Sequence, residues 1–397
     1  MSRGSPEAGT PSRDVLVVGG GPAGLVFATR AAQRGLTVTV LDRARPPVDK
    51  PCGEGLMPDG AARLTELEIP IRDLEGHPFH GIRYVDGDME AEGRFPEAPG
   101  LGVRRTRLHR VLVRGAEEAG VDLRWGIRAQ GLVPDSSRTR GATWRIRVEE
   151  AEREGELAAR WIVGADGLRS RVRRWAGLEK GPGPRRRFGV RRHFRISPWT
   201  DCVEVHWTDG CEAYVTPVGA EEVGIAILWG DGAGDKPGFD RFLRRFPDLE
   251  RRLRGAAVTS RDRGIGPLHQ RVRAVHRGSL ALLGDAAGYL DALTGEGLSV
   301  AFHEAFALVE AIEAGNLRPY GQAVRRLRRL PDLLTRLLLL VERHPWLRRR
   351  MIRTFAEDPR LFSRLLGIHA RQRPPVSLGL GGAWRLGRGL VRSSGRG

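Results

Sequence analysis

The chain has 397 residues, 40% hydrophobic and 29% charged, enough to bury a sizeable core and to organise as two or three closely joined parts. Its formal net charge of +18 is concentrated late: from Arg318 to Gly397 there are 19 arginines, no lysine and 4 acidic residues, which leaves +15 in that segment. Those arginines alternate with leucines rather than with stacking aromatics, which argues against nucleic acid as a partner, and three cysteines (Cys52, Cys202, Cys211) make neither a disulfide framework nor a metal-ligand set.

Residues 1–13 lack the apolar core of a signal peptide and read as a disordered lead-in. The run "DVLVVGGGPAGLVFATRAAQRGLTVTVLDRA" predicts a buried strand from Val15 to Val18, a glycine turn, a helix from about Pro22 to Arg34 and a second strand from Thr37 to Leu41. The following "DKPCGEGLMPDG" sets Cys52 in a glycine-rich loop, as a thiol facing chemistry or as a small buried hydrophobe. Short strand pieces from Phe79 to Phe95 give way to an amphipathic helix in "TRLHRVLVRGAEEAG", and a strand at Trp161 to Val163 leads into "GADGLRSRVRRWAG".

Between Phe188 and Leu228 the pattern becomes antiparallel, with "FGVRRHFRI", "CVEVHW", "CEAYVTPV" and "EVGIAIL" as strands. Cys202 and Cys211 flank a predicted hairpin and read as two half-buried strand thiols, with close approach of the pair as the alternative, and Arg191 and Arg192 are expected on a wet sheet face. "GDGAGD", 230–235, reads as a turn, not a second nucleotide site. "SLALLG" is a buried strand, and "DAAGYLDALTGEG" precedes a helix from about Leu298 to Ala314 in which Glu296, read alone, faces solvent. Beyond Leu317 the pattern is helical until Pro374–Pro375, and a loose tail is expected after it. The most apolar run, "LLTRLLLLVERHPWL", is broken by Arg336 and Glu342 and is too short to span a bilayer.

Three motifs carry the chemistry. Gly19, Gly21 and Gly24 lie between strand and helix, and Asp42 closes the second strand 18 residues after Gly24. Glycine permits close approach to a pyrophosphate held at the helix N-terminus, and the acid takes a ribose. The second motif is "IVGADGLRSRVRR" and the third "LALLGDAAGYLDALTGEGLSVAFHEA". In this order they resemble the FAD-dependent aromatic-hydroxylase/geranylgeranyl-reductase superfamily, the group A flavoprotein monooxygenase-like enzymes, over nearly the whole chain.

That resemblance implies a fold of α/β plus α+β class: a Rossmann-like FAD-binding domain (14–75, 101–180 and 266–316) interrupted by an antiparallel-sheet substrate domain (76–100 and 181–265), with C-terminal helices (317–375) and a loose tail (376–397). It implies Gly19, Gly21, Gly24 and Asp42 at the adenosine diphosphate, Asp166 and Gly167 bracing the FAD site, and Gly284 and Asp285 at the ribityl or ribose. It also implies Arg105 in contact with FAD, with Arg104 as its competitor, and Gly295 and Gly297 at a helix start beside the flavin ring. No metal is expected.

The activity so implied is NAD(P)H-dependent monooxygenation, the hydroxylation or epoxidation of a small aromatic or lipid-like substrate through a flavin C4a-hydroperoxide, with NADPH or NADH as electron donor. "KPCGEG" also resembles a segment of geranylgeranyl reductases, so saturation of prenyl-lipid double bonds is the alternative, and a flavin-binding protein without turnover is a third. The W-x-W-x-I-P segment of tryptophan halogenases does not occur. Cys52, His193 and Tyr214 are the candidate catalytic side chains, the last two on the sheet expected over the substrate. A cytoplasmic protein is expected, with peripheral membrane contact through its basic C-terminal helices as a further expectation; the oligomeric state is not legible.

Overall fold

The computed structural model describes residues 13–134, 144–151, 153–230 and 238–391. The lead-in before residue 13 and most of the 230–235 turn lie outside them. A six-stranded sheet runs in the order His276–Arg277, Leu280–Leu282, Trp161–Gly164, Val15–Val18, Val38–Asp42, Asp122–Trp125, parallel throughout except for its first pair. All four residues of Val15–Val18 are buried, as expected of a β-branched strand covered on both faces. The helix Pro22–Gln33, entered through a proline in its first turn, shares one core with Gly297–Glu313 through Ala28, Phe302 and Ala305.

A three-stranded antiparallel sheet, Arg128–Pro134, Trp144–Glu150 and Arg153–Ala158, has no counterpart in the sequence reading. Only Ile146 and Val148 of its middle strand are buried, against a core that includes Ile162 and Leu282. Its charged outer residues obscure the alternation.

The second large sheet orders Ala257–Val258, Phe188–Arg195, Glu222–Trp229, Cys211–Gly219, Cys202–Thr208, Gly81–Asp86 and Met89–Arg94, with Arg263–Ile265 also on Phe188–Arg195. Its pairings are antiparallel except that of Cys202–Thr208 with Gly81–Asp86. The two cysteines do not approach each other: Cys211 pairs with Thr208 next to the turn, whereas Cys202 begins the strand opposite Gly81. Both are buried free thiols.

The chain ends in the helices Arg318–Arg343, Pro345–Glu357 and Pro359–His369. The part of the expected loose tail that is described forms a short turn, Pro375–Leu378, and a helix, Gly379–Val391, and 392–397 lie outside the described residues. A Cβ at Gly389 would stand 2.4 Å from Thr354 Oγ1, so a glycine that disfavours helix locally lets this helix seat on Pro345–Glu357. Among the described residues no helix is long and apolar enough to cross a membrane.

A buried ion cluster joins the three parts. Arg187 donates from Nε to Asp291 at 2.9 Å, binds Glu212 on the antiparallel sheet, and lies 3.7 Å from Glu342 on the helix Arg318–Arg343. Burial pushes Glu212 up to about 8. Arg187→Met leaves the acidic side chains of Glu212, Asp291 and Glu342 without their shared donor and should cost on the order of 3–5 kcal/mol in a urea titration; a loss below about 1 kcal/mol would show the cluster to be energetically neutral.

Candidate functional site

A cavity of about 920 Å³ passes between the two large sheets. One end is polar, with Gly21, Arg43, Arg105 and Asp285; the other is apolar, with Ile82, Tyr84, Leu228, Met351 and Phe362.

The glycine turn forms the polar end. Gly19 has φ +115°, and a Cβ on Gly24 would come 2.0 Å from Gly19 O, so neither accepts a side chain. Asp42 accepts from the Gly20 and Ala44 amides, each at 2.9 Å, and thereby ties the turn to the end of its strand. His109, unremarked in the sequence, donates from Nε2 to Gly20 O at 2.8 Å while Nδ1 accepts the Val48 amide at 3.4 Å. Burial lowers its pKa to about 4, so it serves the turn as a neutral donor.

Arg105 and Arg104 separate cleanly. Arg104 turns to Glu222 beneath the antiparallel sheet, whereas Arg105 lines the cavity near Gly21. Arg105 Nη1 is buried without a hydrogen-bond partner among the described residues, and burial lowers the pKa of its guanidinium. A buried cation with an unfilled donor calls for an anion.

Gly284–Gly288 is clamped by two arginines that sequence reasoning missed. Arg328, on the helix Arg318–Arg343, donates to Gly284 O, Ala287 O and Gly288 O at 3.0, 3.0 and 2.6 Å and to both oxygens of the fully buried Glu304. Arg173 donates to Ala286 O at 3.2 Å and Leu168 O at 2.9 Å. Gly284, at φ +60°, makes the turn, and the Asp285 side chain lines the cavity with its pKa raised by burial and no hydrogen-bond partner among the described residues.

Asp166 caps the helix Arg171–Trp175, accepting from Ser170 Oγ and the Arg171 and Val172 amides at 2.5, 2.7 and 3.2 Å, and Gly167 turns at φ +82°. Gly295 turns at φ +69°, and Gly297 and Leu298 bring the start of the helix Gly297–Glu313 to the cavity. Glu296 does not face solvent: it is buried, with Oε1 3.2 Å from His369 Nδ1, which ties this loop to the helix Pro359–His369.

The structure brings Cys52 and Tyr214 to the cavity wall and sets His193 behind it. The Cys52 thiol accepts the Glu54 amide at 3.3 Å, and burial raises its pKa. Glu54, held at φ +61°, accepts the Arg105 amide at 2.7 Å and pairs with His193 Nε2. Because Arg191 Nη1 donates to His193 Nδ1 at 2.8 Å, Nε2 carries the proton toward Glu54. Arg191 is therefore buried rather than wet, and it continues to Asp49 at 2.5 Å; Arg192 pairs with Asp240 and Asp262. Tyr214 donates to Leu293 O at 3.0 Å, a packing role.

The residues present fit FAD. The cradle that side chains would fill, the unfilled Arg105 donor and the unpartnered Asp285 acceptor match the anion and polyol of that cofactor. A model of an FAD-binding domain matches residues 12–318. The menaquinone reductase of Mycobacterium tuberculosis (strain ATCC 25618 / H37Rv) is 31% identical over 356 residues, covering 82% of this chain and 84% of its own. A digeranylgeranylglycerophospholipid reductase of Methanosarcina acetivorans is 28% identical over 320 residues, 77% of each chain. In fold, the chain is similar to a flavoprotein/dehydrogenase from Cytophaga hutchinsonii, with a TM-score of 0.79, 18% identity, and coverage of 94% of this chain and 96% of that one.

Two outcomes follow from the polar end. Arg105→Ala should weaken FAD binding roughly 10- to 100-fold in a fluorescence titration, as for loss of a charge-assisted hydrogen bond of about 1.5–3 kcal/mol; unchanged affinity would remove Arg105 from the site. Since His109 is near 4 when folded against an ordinary 6.5, the unfolded chain binds more protons between these values. Apoprotein stability should therefore fall as pH drops from 6.5 toward 4, and the slope should be shallower in His109→Gln.

Proposed function

Because the chain belongs to the FAD-binding flavoproteins of the aromatic-hydroxylase/geranylgeranyl-reductase superfamily, and is thus an FAD-dependent oxidoreductase by family, we propose that it saturates carbon–carbon double bonds in the isoprenoid chain of a membrane lipid. The observation that carries this reading is the apolar arm of the cavity, walled by aliphatic and aromatic side chains from the second sheet and from the C-terminal helices. A prenyl chain has no polar group to satisfy and fits such a wall, whereas a small polar aromatic would leave most of it unused. The two relatives are named as reductases, one of menaquinone and one of digeranylgeranylglycerophospholipid, which supports a reductase over a monooxygenase.

When bound, FAD supplies the two-electron chemistry. The protein's part is to bind, orient and supply a proton. In this reading Arg105 and the glycine turn would take the pyrophosphate and Asp285 the ribityl hydroxyls, while Asp42, off the cavity wall, would hold the turn through the Gly20 and Ala44 amides. The free amides at the start of Gly297–Glu313 favour negative charge beside the ring. NADPH or NADH serves as the electron donor in this reading.

Adding two hydrogens across a double bond requires a proton at one carbon. Cys52 holds one at Sγ, because burial keeps the thiol protonated, and it lines the cavity. Behind it, His193 Nε2–H and Glu54 form a polar path that reaches Asp49 and the half-exposed Arg263 through Arg191. The leucines of the C-terminal helices keep water from the reacting bond.

The test is anaerobic incubation of the FAD-loaded protein with NADPH and a prenylated quinone, read by mass spectrometry. The expected product has gained two hydrogens, with turnover reduced at least about tenfold in Cys52→Ala while FAD remains bound. Product that forms only in air and has gained an oxygen atom would establish the monooxygenase instead, and bound FAD with no product from either arm would favour the protein without turnover.

A further inference from the structure

We propose that the C-terminal helices form a docking face for an anionic lipid bilayer, with the cavity opening into that face so that a prenyl chain enters without crossing water. This rests on the prenyl-lipid reading above and adds the surface that delivers the substrate.

The observation is where apolar surface is left uncovered. Among the described residues the large, exposed apolar side chains fall, all but Val258, between Leu333 and Trp384. On the helix Arg318–Arg343, Leu333, Leu337 and Leu340 recur at i, i+4 and i+7 and are 53%, 49% and 44% exposed, forming one stripe. Arg329, Arg336 and Arg343, seven residues apart and all exposed, form a parallel stripe beside it.

Two tryptophans extend the pattern. Trp346 is 59% exposed beneath Arg350 and Trp384 is 60% exposed beneath Arg388, their guanidinium carbons 5.5 and 4.8 Å from the ring centres. Soluble surfaces seldom cluster apolar groups in this way, whereas a helix at a membrane interface combines leucine, tryptophan and arginine so that rings and aliphatic stems enter the headgroup region and the cations stay with lipid phosphates.

Charge selects the occupant. The segment from Arg318 onward carries +15, which complements an acidic leaflet and opposes a second copy of the same face. The surface is also continuous with the cavity: Leu337 and Leu340 are exposed outside and line the cavity inside, together with Leu386 of the final helix. A lipid tail can pass from bilayer to cavity along leucine throughout.

The test uses the full-length, FAD-loaded protein in co-sedimentation with vesicles of phosphatidylcholine alone or mixed with phosphatidylglycerol. Partition should be at least about tenfold stronger on the anionic vesicles and should fall as salt is raised. The triple variant Leu333→Ser, Trp346→Ser, Trp384→Ser, none of which lines the cavity, should lose that partition by about tenfold or more while retaining FAD and turnover of a short, water-soluble prenyl alcohol. Equal partition of variant and wild type, or no preference for anionic lipid, would overturn the proposal. So would a lipid-free dimer, seen by sedimentation velocity, that the triple variant disperses. Vesicle binding needs no turnover, so a failed reductase assay and a failed docking face remain distinguishable.

Discussion

The Gly284–Gly288 turn depends on two guanidinium groups, that of Arg173, which is buried, and that of Arg328, which is partly so. A tight turn leaves carbonyls pointing into the protein, and each needs a donor. Arg328 and Arg173 supply them from opposite sides, and Glu304 offsets the charge of Arg328 while accepting the Gly284 amide at 3.2 Å. With the carbonyls satisfied inward, the Asp285 side chain is left for the cavity. Arg328 belongs to the helix whose leucines wall the apolar arm, so the Gly284–Gly288 turn and that wall of the cavity share one element. Loss of that helix would leave Glu304 buried without its partner and the turn without three of its donors.

A second constraint lies at the other side of the cavity. The loop containing Cys52 is held by Glu54, whose left-handed backbone is rare for a residue with a side chain. Its carboxylate reaches both the first helical amide at Arg105 and the imidazole of His193. The loop is thereby fixed between the helix Arg105–Glu118 and the antiparallel sheet, with the thiol toward the cavity.

The parts legible in sequence were those in which backbone geometry admits one residue type. Gly19 and Gly24 stand where side chains are excluded, and the parallel strands read directly because both faces are buried. Arg105 over Arg104 was legible only as a resemblance, since both are arginines at a helix start and only burial separates them. His109, Arg173 and Arg328 were not legible at all. Each acts on carbonyls far away in sequence, 89 residues for His109 to Gly20, and no local pattern records such a bond. The final helix was missed for a related reason: its glycines lower local propensity, and the close seat on Thr354 that they permit is a tertiary fact. The three-stranded sheet from Arg128 to Ala158 escaped because so few of its side chains are buried.

The three thiols, which make no disulfide framework, sit in different surroundings. Cys202 and Cys211 sit at opposite ends of their hairpin, and burial lifts each to about 12. Cys52 is lifted too, although it borders the cavity. Thiolate is the species that oxidises and exchanges, so burial disfavours exchange at Cys202 and Cys211. Of the three sulfurs, it is Cys52 that a molecule entering the cavity meets.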